Sequence, residues 1–374
     1  MDLYLQVGYG MQEHCRRLVE YWSGGTTILS PRDLKPQQMH RLSSELRDRG
    51  GTVIMDPQFY LPRSDHFRLT SYDYWPKDYD TVGFDGDARR TMIQQLAELN
   101  RQMGTQWLIL PGERAATVSD LWLDSQHAFL QEGRGISHVP IMATVCLSAD
   151  AIRSAEQVNL VVEAASQDLA PAYFVAAEPP GHSYLVDDPQ WLANLLDLIA
   201  GLRLLGSKVV VGHSNHQLLV LAATGANAIA SGTWQNVRSF TPNRYQNPRE
   251  DDQRRRATWY YCPQALTEFT LPFLDIAVRR GLGTLLSPDP PTVFGSGLFQ
   301  VPQPSASGWG ELDAFRHYLH ALRLQAHTVT CDSFDKTVTV HFRMLDRAEQ
   351  LLRELQKVGI TGQQRDFSSA LDAN

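Results

Sequence analysis

Apolar residues along the chain fall into two alternating spacings. Short β-branched and aliphatic runs occur at 3–9 (LYLQVGY), 26–30 (TTILS), 52–56 (TVIMD), 106–111 (QWLILP), 139–147 (VPIMATVCL), 172–178 (AYFVAAE), 208–213 (KVVVGH) and 226–231 (ANAIAS). Bounded by turn residues, such runs read as buried strands. The segments between them, among them QEHCRRLVEYW, QQMHRLSSELRDRG, RRTMIQQLAELNRQMG, SADAIRSAEQVNLVVEAA and DPQWLANLLDLIAGLRLLG, place apolar residues three and four apart, as on one helix face. Gly50, Gly104 and Gly206 stand where helices should stop. Strands alternating with helices imply right-handed βαβ units and a parallel sheet. Eight strands within roughly 230 residues match a (β/α)8 barrel of TIM type. A doubly wound open sheet is the rival, because a strand count does not establish closure.

After residue 240 the pattern changes. ALTEFTLPFLDIAVRRG and ELDAFRHYLHALRLQA have amphipathic spacing, and LSPDPPTVFGSGLFQVPQPSASGWG (286–310) reads as a linker or extended arm. TVTVHF followed by LDRAEQLLRELQKVG reads as a strand and a last helix. The expected organisation is a barrel over 1–240 and a helical and mixed extension over 241–374 that packs on it.

Composition narrows the class. The chain is 43% apolar and 20% charged, as in globular proteins, and holds no apolar run long enough for a transmembrane helix. The start, MDLYLQVGYG, runs straight into a strand pattern and does not read as a signal peptide. Cys15, Cys146, Cys262 and Cys331 stand far apart without a CxxC pair. They read as reduced thiols of a cytoplasmic protein, with no disulfide frame, metal site or cofactor expected. A net charge of −7 argues against a generally basic nucleic-acid binder but leaves room for local basic patches.

In a barrel, chemistry sits at the C-terminal strand ends and in the loops after them. Those positions are polar here: Ser30, Arg32 and Asp33; Asp56, Gln58 and Tyr60; Glu113; Ser148; Glu178; His213, Asn215 and His216; Ser231, Gly232 and Trp234. Small residues at Ser231 and Gly232 would let a flat ligand approach the backbone, with Trp234 stacking on it. Each has a plainer reading. Asp56, before Pro57, serves equally to cap a turn, and Glu178 to solvate a loop. His213 can end a strand while Ser214 or Asn215 caps the next helix, and an HxxH pair with no third ligand is a weak metal signal. Trp234 can plug the barrel end.

Two loops stand out. Residues 59–84 are too long for an ordinary βα loop and dense in aromatics and cations, which suits unpaired bases or a self-packed lid. Residues 238–261 carry Arg238, Arg244, Arg249, Arg254, Arg255 and Arg256, candidates for phosphate contacts, although Glu250 to Asp252 dilute the charge.

TTILSPRDL, GTVIMDPQFY, VPIMATVCLS, AYFVAAEPPG and VVVGHSNHQLLVLAATGANAIASGTWQNVRSF together resemble the tRNA-guanine transglycosylase superfamily, closer to its DNA-acting branch. The likeness spans roughly residues 1–240 and rests on order and pattern. It implies a barrel with catalytic Asp56, Gln58 in the following turn, and a base pocket near Glu178 and 212–219. Two departures are visible. The position matching the family's nucleophilic Asp falls at Ala230 or Ser231, and the Cys-rich zinc motif is absent. Base exchange needs a carboxylate to hold the sugar covalently, whereas hydrolysis needs one positioned carboxylate and water. The expected function is therefore hydrolytic glycosylase action on a flipped, modified base in DNA, with a role in antiviral defence. The alternatives are base exchange on DNA or tRNA, a phosphate- or flavin-binding barrel, and a catalytically inert barrel that only recognises a base.

Overall fold

A computed structural model describes residues 1–77, 79, 86–247, 257–359 and 364–374. Its parallel strands are β1 (Asp2–Gln6), β2 (Thr26–Leu29), β3 (Thr52–Met55), β4 (Leu108–Ile109), β5 (Arg114–Ala115), β6 (Ile141–Leu147), β7 (Ala172–Ala177), β8 (Lys208–Val211) and β9 (Ala228–Ser231). β1 pairs with both β2 and β9, and β4 pairs with both β3 and β6, so the sheet closes into an eight-stranded barrel. The open-sheet alternative is excluded by that closure. All eight expected strands are present.

β5 is the resumption of β4 after a break. Leu110 N–H still donates to the Met142 carbonyl, Pro111-Gly112-Glu113 leaves the ladder, and Arg114 then pairs alongside Cys146. A Cβ on Gly112 would lie 2.7 Å from Thr144 Cβ and 2.8 Å from its carbonyl oxygen, so only glycine allows this approach. Such interruptions re-aim the residues that follow. Here they turn Glu113 and Arg114 onto the mouth.

The shell comprises α1 (Gln12–Trp22), α2 (Pro36–Asp48), α3 (Gly86–Met103), α4 (Asp120–Ile136), α5 (Ala149–Arg153), α6 (Ala155–Gln167) and α7 (Pro189–Leu204). Gly104 and Gly206 follow α3 and α7 at φ 65° and 96°, the left-handed stop positions expected of them. Between β8 and β9 runs a 3-10 turn over His216–Thr224 in place of a full helix. The gap beside it is filled from far along the chain.

The extension holds β10 (Trp259–Cys262), β11 (Thr267–Thr270), α8 (Leu271–Arg279), α9 (Gly283–Leu286), α10 (Glu311–Val329), α11 (Phe334–Lys357), β12 (Gln364–Arg365) and α12 (Ser368–Leu371). α10 packs against β1, α1 and the 216–224 turn, which makes it the eighth shell helix. Tyr318, Leu319, Leu322 and Ala326 of α10 belong to the barrel's own core. Thus residue 240 separates the strands from the extension, but not the shell.

Three expectations change. TVTVHF is not a strand: it lies in the first half of α11, whose buried Thr337, His341, Leu345, Ala348 and Leu352 recur at helical spacing. That amphipathic face outweighs the β preference of Thr and Val. The first part of ALTEFTLPFLDIAVRRG is β11, paired antiparallel with β10. Segment 286–310 is not a free arm, for Leu298 and Trp309 are buried in a second, smaller core with Tyr260, Phe269 and Leu352.

Barrel and extension are pinned by a charge triad centred on buried Glu268. Arg238 Nη1 donates to Glu268 Oε1 at 2.7 Å, and Arg365 Nη1 donates to Oε2 at 2.7 Å. Arg238 also gives Nε and Nη2 to the Gly232 and Thr233 carbonyls, and its guanidinium lies 3.4 Å over the Tyr318 ring. Burial would push the Glu268 carboxyl up, but the two arginines prevail and hold it at about 2. Removing one partner of a buried pair leaves an uncompensated charge, at a cost of about 3–5 kcal/mol. Glu268→Gln is therefore expected to lose stability on that scale in urea unfolding, with the loss persisting across neutral pH.

Candidate active site at the barrel mouth

Asp56 follows β3 directly. Gln58 takes φ 57°, which bends the chain so that its N–H donates to Asp56 Oδ1 at 2.9 Å. Tyr60, two residues on, donates its hydroxyl to Oδ2 at 2.7 Å. The Asp56 carboxyl is 1% exposed. Burial pushes it up to about 6, against the opposing pull of the Tyr60 and Gln58 donors and of Arg244. The turn-capping role and a chemically poised acid thus coincide in one residue.

The Gln58 side chain turns towards the end of β2. Its Oε1 accepts from Arg32 N–H at 3.0 Å, and its Nε2 donates to Ser30 Oγ at 3.0 Å. Ser30 passes its own proton to Asp33 Oδ2 at 2.8 Å. Asp33 binds Arg32 Nη1 at 2.8 Å and Arg244 Nη2 at 2.5 Å. Burial works against this carboxylate, yet Arg244 and Arg32 hold it below its usual value.

His213, at the end of β8, takes φ 53° and donates its backbone N–H to Gln6 Oε1 at 2.6 Å. Burial lowers its imidazole to about 3, so the ring is neutral and Nε2 accepts from Gln6 Nε2 at 3.0 Å and from Tyr245 OH at 3.1 Å. Phe240 and Tyr245 stand edge-on to Tyr60, at 5.1 and 4.9 Å between ring centroids. Val237 fills the space above Gly8 and Gly232, where an added Cβ would lie 2.5 Å from its methyls. Segment 233–247 therefore caps the barrel axis. Its Tyr245 carbonyl accepts from Ser64 and its Arg244 carbonyl from Arg32 Nε.

Glu178, after β7, is buried and receives Arg114 Nε and Nη2, each at 2.5 Å from Oε2. The Cys146 thiol lies within electrostatic reach of Arg114, Glu178 and Asp56, which places the two acids around one stretch of β6. Outside the aromatic cap lies an open cavity of about 640 Å3, lined by Arg63, Asp65, Tyr79, Glu113, Gln246 and Asn247. Glu113 Oε1 accepts from Tyr79 OH at 2.5 Å. Leu61 and Gln246, which directly follow Tyr60 and Tyr245, are both part of that lining. Glu113 had no assigned role beyond its strand end; Pro111-Gly112 was the signal that could have found it.

The structure brings Ser30, Arg32, Asp56, Gln58, Tyr60 and His213 together at one barrel mouth, and Glu178 follows β7 at the same end of the barrel. Other candidates lie elsewhere. Asn215 accepts from Gln217 N–H at 2.8 Å and is a helix cap. Fully buried Ser231 lies beside Tyr318 of α10, behind the sheet. Gly232 is covered by Val237, so no ligand approaches the backbone there. Trp234 donates Nε1 to the Tyr9 carbonyl and packs edge-on to Phe315 of α10. Arg238 and Arg244 are buried in ion pairs and are not phosphate contacts. Arg249, Arg254, Arg255 and Arg256 lie outside the described residues. In the long loop Phe59, Tyr60, Tyr72, Tyr74 and Trp75 are buried, so it packs largely on itself, and Phe67 alone of its described phenylalanines is exposed. Among the described residues no three His, Cys, Asp or Glu side chains form a metal site, and no helix is long and apolar enough to cross a membrane.

No protein-family model matches the chain, and no curated protein matches it. Solved structures resemble it faintly. The 3-dehydroquinate dehydratase from Aquifex aeolicus VF5 aligns at 9% identity over 62% of this chain and 90% of that one, with a TM-score of 0.36. A thermostable xylanase mutant from Cellvibrio japonicus aligns at 10% identity over 62% and 85%, with a TM-score of 0.38. The carboxyl transferase domain of Rhizobium etli pyruvate carboxylase aligns at 11% identity over 62% and 39%, with a TM-score of 0.37. The barrel assignment rests on the strand pairing, and these likenesses carry nothing about chemistry.

The raised Asp56 carboxyl has a measurable consequence for stability. Between its unfolded value of 3.8 and its folded value of about 6, the folded chain holds a proton that the unfolded chain releases. Stability contributed by this group is thus present below pH 4 and lost as pH rises through 6, a difference of about 3 kcal/mol. Asp56→Asn removes that loss. Relative to the parent its stability should climb between pH 4 and 6 and level off above, as read by urea unfolding at pH 4.5 and 7.5. The buried histidines titrate equally in both proteins and cancel from the difference. A flat difference across this range would refute the raised acid.

Proposed function

We propose that the protein hydrolyses the N-glycosidic bond of a base in nucleic acid, with a modified base in DNA as the preferred substrate. The carrying observation is Asp56: a strand-end carboxylate in a dry mouth, held by two donors and pushed up to about 6, so that it exchanges a proton near neutrality. Such a group can accept a proton from attacking water and stabilise positive charge on the sugar. The bond from C1′ to the base nitrogen breaks with its electron pair leaving on the base. Water supplies hydroxyl to C1′, and its remaining proton ends on the base by way of Asp56 or solvent. The resemblance to the tRNA-guanine transglycosylase superfamily supports the substrate class, and that superfamily's association with unusual bases supports a defence role.

The absence of a carboxylate at Ala230 and Ser231 favours hydrolysis over covalent base exchange. The phosphate-barrel reading loses ground because the N–H groups it would use are engaged. His213 N–H is given to Gln6, Ser214 N–H to the Ala230 carbonyl, and Gln217 N–H to Asn215. A substrate reaching Asp56 displaces the Phe240 and Tyr245 rings, with the cavity at Glu113 as its approach.

Incubation with modified and unmodified DNA is expected to yield free base and abasic sites. Asp56→Asn should retain DNA binding while single-turnover release falls at least about a hundredfold. Glu178→Gln should lose less, since Arg114 already neutralises that acid. The parent rate should rise with pH through about 6, as Asp56 ionises. Base exchange on tRNA without release from any DNA would defeat the proposal, and an active Asp56→Asn with an inert Glu178→Gln would reverse the two roles.

A further inference from the structure

Phe67 is a large aromatic side chain left exposed, at 59%, in a loop that buries its other described aromatics from Phe59 to Trp75. Its position is held from three sides. Its backbone N–H donates to Asn247 Oδ1 at 3.1 Å, and Asn247 Nδ2 donates to the Asp65 carbonyl at 2.9 Å. Its ring stacks on buried His66, with centroids 5.2 Å apart and planes 13° from parallel. The Arg68 guanidinium stands 5.4 Å from the ring centroid. Asp65 and Asn247 both line the cavity beside Glu113, so the Phe67 backbone is tied to a residue of that lining.

A pre-stacked aromatic pair with an arginine beside it fits one partner well: an unpaired nucleobase, whose flat face extends the stack while its phosphate meets the cation. Aromatic–base stacking is sequence-tolerant and contributes about 1–3 kcal/mol per base. What sets this ring apart from other exposed aromatics is that it is pre-stacked and its backbone fixed, which lowers the entropic cost of ordering a strand on it. The geometry points to Phe67 as the stacking platform that receives an unpaired base next to the mouth, with Arg68 contacting the adjoining phosphate. This rests on the proposed nucleic-acid substrate and adds to it the strand state and the point of contact.

The test uses fluorescence anisotropy with a labelled single-stranded oligonucleotide and its duplex at fixed salt. The full chain should prefer the single strand. Phe67→Ala should weaken single-strand binding about tenfold, while Phe67→Trp restores it, with thermal unfolding unchanged in both. Arg68→Gln should reduce the salt slope of log affinity by about one. If the parent binds single strands and Phe67→Ala binds them equally well, the platform is wrong while the glycosylase reading stands. If the parent binds neither single strand nor duplex, that reading falls and the platform with it.

Discussion

The Arg244–Asp33 ion pair, 2.5 Å long and shut away from solvent, holds the last barrel loop across the mouth. Its partners extend the restraint, since Asp33 also binds Arg32 and Ser30 and the Arg244 carbonyl accepts from Arg32. With this clasp in place Val237, Phe240 and Tyr245 lie over the strand ends. The consequences are chemical as well as mechanical. Asp56 is dry because that aromatic cap is closed, and a dry carboxyl with only two hydrogen-bond donors rises towards neutrality. The same segment supplies Gln246 and Asn247 to the outer cavity.

Three acids at one mouth are thereby set to different tasks by their neighbours. Asp33 has two arginines and stays ionised as a strut. Glu178 is ion-paired through Oε2 with Nε and Nη2 of Arg114. Asp56 has no ion-pair partner in contact among the described residues, and burial raises it into the range where an enzyme works. Environments that push similar groups apart are how one fold divides acid and base roles.

The extension belongs to the same mechanical system. α10 is the eighth shell helix, and its Tyr318 ring lies under Arg238, which reaches Glu268 and, through it, Arg365. The loop that caps the mouth thus leaves the barrel at Arg238 and is fixed at both ends by buried charge. Burial of those charges is costly unless every donor is met, and Arg238 meets the requirement with two carbonyls, a carboxylate and an aromatic face.

The alternation of apolar periods by itself determined all eight barrel strands, the helices between most of them, and the polar strand ends of which Asp56, Gln58 and Tyr60 are part. Local period is written in neighbouring residues, so a single chain suffices to read it. Closure was not legible, because the pairings of β1 with β9 and of β4 with β6 join residues distant in sequence. Nor was the fate of the arginines: Arg238 and Arg244 look like phosphate contacts in sequence, and only packing shows their guanidiniums consumed by Glu268 and Asp33. TVTVHF failed for the same reason, its local preference overruled by the face that α11 presents to the core. Side-chain partners across the mouth are decided by tertiary structure, since a charge or a ring has no fixed role until its neighbours are in place.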